Sequence, residues 1–170
     1  MDWPYAHLLI NHFPIILTVA GAAAAVVGLW IRRRGLWLYA VATLTLAGLS
    51  IYPTFLTGDE AKDTFRGIRP WYIVRGSIDA HEEAAEATLW VLLAVGAIAA
   101  YAWWRSVRSG AEAEPPRWLR ALVVVSSLVG LGFVTWTSLL GGEIVHKSPI
   151  LEAPQPPAVQ TPATGVSAPP

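Results

Sequence analysis

Four long apolar stretches constrain most of what this chain can become. They run from Phe13 to Ile31, Leu36 to Leu56, Ala84 to Trp104 and Trp118 to Leu140. A helix rises about 1.5 Å per residue and a bilayer core is about 30 Å thick, so each stretch can cross a membrane. Lipid offers the backbone no hydrogen bonds, which predicts helices rather than loops or open strands. Composition agrees: 14% of the 170 residues are charged, against about 25% in a soluble domain. The expected fold is an all-α integral membrane protein, with four transmembrane helices paired as two antiparallel hairpins in one bundle. This domain spans residues 1–148. Residues 149–170 hold seven of the thirteen prolines and read as an extended, disordered outer tail.

Basic residues set the expected orientation. Arg32, Arg33 and Arg34 follow the first span, and Arg105, Arg108, Arg117 and Arg120 surround the third connection. These two short connections hold seven of twelve basic residues but only two acids, Glu112 and Glu114. The positive-inside rule places them in the cytoplasm, with both termini and the 57–82 loop on the outer side of an inner (cytoplasmic) membrane. The first span reads as an uncleaved anchor, because a cleavable signal wants a basic start and a short apolar core. Trp30, Trp37, Trp103, Trp104 and Trp118 fall at the inner edge, and Trp3 and Trp71 at the outer one, as an aromatic belt would. Gly21, Ala24, Ala25 and Gly28 form a small-residue stripe suited to close helix contact.

The balance of charge excludes a basic nucleic-acid binder. The absence of cysteine excludes a disulfide-stapled module, thiolate metal centres and c-type haem attachment within this chain. No phosphate-binding loop, Rossmann glycine pattern, HExxH or ordered catalytic triad occurs, which argues against a hydrolase or a nucleotide-dependent enzyme.

A short repeat links the second and fourth helices. Thr54, Leu56, Gly58 and Glu60 recur, with the same spacing, as Thr137, Leu139, Gly141 and Glu143. Asn11-His12 and Asp79-Ala80-His81 open the first and third helices with similar chemistry. Each hairpin then reads as an outer histidine, a span inward, a basic turn, a span outward, and a closing Gly and Glu. Two parallel repeats about an axis along the membrane normal fit that order.

All four histidines, His7, His12, His81 and His146, lie at the outer helix ends together with ten of the twelve acids. Imidazoles converging from facing helices suit a b-type haem, with His12 and His81 as the leading pair and His7 and His146 as further candidates. Arg66, Arg69 and Arg75 of the outer loop then fit as partners of the haem propionates. Alternatively, His7, His12 and His81 with Glu86 or Glu143 fit a Zn, Fe or Cu ion. Glu86 lies nearest the apolar run, where desolvation favours proton or quinone chemistry. Histidines and acids also sit comfortably at a membrane interface with no cofactor at all, and Glu82, Glu83 and Glu86 complement a helix N-terminus.

His7-x4-His12-Phe13-Pro14, Thr57-Gly58, His81 and Leu140-Gly141-Gly142-Glu143-Ile144-Val145 together resemble a bacterial domain-of-unknown-function family of four-helix membrane proteins. The resemblance covers residues 5–150. It implies a membrane protein sometimes fused or adjacent to redox domains such as cytochrome c, and hence electron transfer. The sequence departs from the family at the last motif. His146 stands where the family has Tyr, and Ser148 where it has His. That departure favours His7, His12 and His81 over His146.

Three functions follow as expectations. The first is a small electron-transfer subunit that binds haem or a metal near the outer surface and serves a membrane or periplasmic redox partner such as a cytochrome. The second is a cofactor-free structural subunit of an oligomer or larger complex. The third is a small transporter, favoured least because only Glu86 and Arg120 approach the span interiors.

Overall fold

Proline and hydrogen bonding shape the first span before packing does. Pro14 has no N–H to offer the carbonyl one turn back, so the helical ladder breaks there. The structure, a computed structural model describing residues 2–66, 71–110 and 114–147, divides the entry into α1 (Trp3–Ile10) and α2 (His12–Val27), separated by Asn11. Asp2 caps α1 by accepting from the Tyr5 N–H, and Pro4 occupies the first turn, where its missing N–H costs nothing. The longer helices are α3 (Arg34–Arg66), α4 (Trp71–Arg108) and α5 (Arg117–Lys147). All regular structure among the described residues is helical, and four helical stretches are long and apolar enough to cross a membrane.

The 57–82 segment departs from the expected loop. α3 continues to Arg66 and α4 begins at Trp71, so both helices extend past their apolar runs. At about 1.5 Å per residue, the 33 residues of α3 reach about 50 Å, well beyond a bilayer core. Charge holds these extensions together. Lys62 Nζ lies 2.5 Å from Glu82 of α4 and 3.0 Å from Asp59 on its own helix. The tail at 149–170 lies outside the described residues.

Contacts define a ring in which α3 touches α2 and α4, and α5 touches α4 and α2; α1 packs on α3. Side-chain hydrogen bonds join neighbouring helices of this ring. Trp37 near the start of α3 donates from Nε1 to Ser106 Oγ near the end of α4 at 2.8 Å, and Arg34 donates to the Ser106 carbonyl. Thr88 of α4 meets Thr137 of α5 at 2.7 Å between hydroxyl oxygens. The core has two parts. Val41, Leu44, Val95, Leu119 and Val123 fill the arginine-rich end, and Ile51, Leu89, Leu92 and Val134 fill the half nearer the histidines.

The small-residue stripe of α2 serves packing, since a Cβ on Gly21 would meet Leu44 Cγ at 2.7 Å. A closer approach occurs between α3 and α4, where a Cβ on Gly48 would stand 2.7 Å from Gly96 Cα. Trp37 differs from its expected place in the belt. It is only 6% exposed and belongs to the core, whereas Trp30, Trp103, Trp104 and Trp118 are exposed. Its indole faces α4 because Ser106 supplies the acceptor that a buried Nε1–H requires.

Candidate functional site

The histidine-bearing ends of the helices carry the same side-chain arrangement twice. His7 of α1 places Nδ1 3.1 Å from the Thr54 carbonyl of α3. His81 of α4 places Nδ1 3.1 Å from the Thr137 carbonyl of α5. Thr54 and Thr137 are partners in the sequence repeat. The glycine one turn further along recurs as well. A Cβ on Gly58 would meet His7 Cε1 at 3.0 Å, and a Cβ on Gly141 would meet His81 Cε1 at 3.0 Å. Each glycine therefore provides the space its imidazole occupies.

A carbonyl oxygen only accepts, so each histidine carries its proton on Nδ1 and leaves Nε2 with a lone pair. Thr57 reinforces the first copy: its hydroxyl donates to the Thr54 carbonyl at 2.9 Å and stands 3.2 Å from His7 Nδ1. In the second copy, Thr137 donates to the Ala84 carbonyl and meets the Thr88 hydroxyl. Both imidazoles are half-buried. One turn from His7, Asn11 Oδ1 is buried with no partner among the described residues.

The expected histidines are thus distributed differently from the sequence pairing. The counterpart of His81 is His7 on α1, and not His12. His12 is exposed, with Nδ1 2.7 Å from the Leu8 carbonyl of its own chain segment. Glu86 is also exposed and points away from the bundle interior. Arg75 is exposed and pairs with Asp79 one turn along α4 at 3.5 Å. Glu143 is exposed on α5, and His146 stands on the last turn of that helix. Arg66 closes α3, and Arg69 lies outside the described residues. Arg120, at the far end, is bound to Glu114 and to the Pro115 carbonyl.

Sequence reasoning did not single out Thr54, Thr57, Thr137, Gly58 or Gly141 as supports of the histidines. The repeat containing four of them was visible, but the histidines do not share its spacing, since His7 stands 47 residues before Thr54 and His81 stands 56 before Thr137. The chain matches no protein-family model, no curated protein and no solved structure.

Proposed function

We propose that the outer end of the bundle is a two-histidine cofactor site, and that the protein is a small membrane subunit for electron transfer. His7 and His81 would be the ligands, presenting Nε2 to the iron of a b-type haem or to another metal ion. The observation that carries this reading is the duplicated anchoring of the imidazoles on the Thr54 and Thr137 carbonyls. Ligating histidines are usually oriented in this way, with the other ring nitrogen donating to a carbonyl, which fixes the tautomer and raises ligand basicity. Two imidazoles would suffice to hold a haem iron, whereas a zinc site generally needs three or four protein ligands. The buried Asn11 oxygen adds a polar group awaiting a partner one turn away. Haem, when bound, supplies one-electron chemistry; the chain holds the ligand nitrogens in place.

In this proposal the two α-helical pairs are the repeated hairpins, the arginine-rich end faces the cytoplasm, and both termini face outward across an inner membrane. The seven-to-two excess of basic residues in the two inner connections supports that orientation. A redox protein on the outer side is the expected partner, in line with the family resemblance.

The deciding experiment is a reduced-minus-oxidised visible spectrum of the purified protein, with metal analysis. A Soret shift and α-band are expected, lost in His7→Ala and in His81→Ala and retained in His12→Ala. A colourless, metal-free protein overturns the proposal. A periplasm-active reporter fused after Pro157 tests the orientation, and inactivity there refutes it.

A second reading is a cofactor-free structural subunit. It is favoured by the fact that each histidine already ties two helices together through Nδ1. Under this reading His7→Ala and His81→Ala lower thermal stability but remove no colour or metal.

A further inference from the structure

At the end opposite the histidines, the connection between α2 and α3 and the first turns of α5 line a groove of about 360 Å³. Arg32, Arg117 and Arg120 line it, with Leu29, Ala121 and Val124 among its apolar wall. We propose that this groove binds the headgroup phosphate and upper acyl chain of an anionic phospholipid.

Charge is the first argument. Three arginines line the groove. Arg120 is held in place by donating from Nε to the Pro115 carbonyl and from Nη2 to Glu114. Arg32 and Arg117 are exposed, and the planar fork of arginine matches phosphate geometry. Basic recesses between transmembrane helices are suited to anionic headgroups.

Depth is the second argument. Trp30 and Trp118 stand beside the groove in sequence and are 75% and 57% exposed, as indoles at headgroup level are. The apolar wall is the third. A free phosphate would engage the arginines and leave the exposed Leu29 and Val125 uncovered. An acyl chain covers them and continues along the exposed Leu128 and Val129 of α5. The inference depends on the helices spanning a bilayer and is independent of any cofactor.

The test is native mass spectrometry of the delipidated full-length chain in detergent, titrated with phosphatidylglycerol, phosphatidylcholine and inorganic phosphate. Phosphatidylglycerol is expected to bind on the order of tenfold more tightly than phosphatidylcholine, from the attraction of two exposed arginines. The double change Arg32→Gln with Arg117→Gln should remove that preference. Ala121→Phe, which fills the groove from an exposed position, should weaken both lipids. Arg33→Gln, adjacent in sequence but not lining the groove, should alter neither. Circular dichroism of each variant confirms that the helices persist. Equal binding of the two lipids to the unmodified chain overturns the proposal, as does a preference that survives the double change. Displacement of phosphatidylglycerol by millimolar phosphate, with no effect of Ala121→Phe, assigns the groove to a soluble anion and refutes the lipid.

Discussion

Replacing Gly48 with alanine should force α3 and α4 apart at their closest point. The new Cβ would stand 2.7 Å from Gly96 Cα, 2.9 Å from the Leu92 carbonyl oxygen and 3.2 Å from the Gly96 nitrogen. All three are backbone atoms, so no side-chain rotation relieves the clash. Ordinary contact begins near 3.4 Å, and the two backbones must separate by that difference. A radial gap of about 0.5–1 Å forfeits a quarter to a half of the dispersion attraction across it. The loss falls on Val41, Leu44, Leu92 and Ala99, all essentially fully buried. Between lipid-embedded helices packing is the main source of association, because the hydrophobic effect does not press them together. Overpacking typically costs about 1–3 kcal/mol, and the better helix propensity of alanine returns up to about 1 kcal/mol. A clash wholly with backbone falls in the upper part of that range, about 2–3 kcal/mol, so the expected net destabilisation is about 1–2 kcal/mol. For a chain of this size that lowers Tm by several degrees, at about 2–4 °C per kcal/mol. The control is Gly132→Ala, where a Cβ meets nothing within 4 Å. It should be neutral or slightly stabilising. Gly96→Ala should repeat the Gly48 effect, and the double variant should cost less than the two combined, since one separation accommodates both methyl groups. Thermal unfolding in mild detergent, followed by circular dichroism, provides the comparison. If Gly48→Ala is as stable as the unmodified chain, or Gly132→Ala is equally damaged, the close-approach argument is wrong.

Three further outcomes are expected. Thr18 is fully buried and its hydroxyl has no partner among the described residues; Thr18→Val should therefore stabilise the bundle, by about 1 kcal/mol, and a loss of stability in the same unfolding assay would show that the hydroxyl has a use. Trp37→Phe breaks the 2.8 Å bond to Ser106 and should cost about 1 kcal/mol, with a double-mutant cycle against Ser106→Ala reporting a coupling of at least about 0.5 kcal/mol; zero coupling would refute the bond's contribution. Gly141→Val should displace the His81 ring and abolish any haem or metal signal, whereas Gly142→Val, where nothing lies within 4 Å, should leave it intact; equal spectra for the two variants would count against the glycine's role in seating the imidazole.

Much of the architecture was legible from residue order. Leu36 to Leu56 and Trp118 to Leu140 had to be helices, because a desolvated backbone must satisfy itself and helices of that length match a bilayer core. The clustering of Arg32, Arg33, Arg34, Arg105, Arg108, Arg117 and Arg120 marked one end as basic without reference to packing. Helix boundaries were less legible. The 57–82 stretch looked like a loop by hydropathy, yet both flanking helices continue into it, with Lys62 bridging Asp59 and Glu82. Hydropathy measures solvent preference and does not register an ion pair between two helices.

The site itself was half legible. Histidines at one end of the apolar spans, and a Thr–Gly repeat beside them, were present in the sequence. Which histidine faces inward was not, because His7 and His12 straddle the break at Asn11 and their directions depend on how α1 docks against α3. Only the tertiary contacts set His7 against Thr54, His81 against Thr137 and Gly48 against Gly96. The sequence alone determined how many helical stretches are long and apolar enough to cross a membrane and which end is basic, since those depend on local hydrophobicity and charge. The rotation of each helix, and so the identity of the paired imidazoles, was decided by packing between segments far apart along the chain, for which local pattern carries no information.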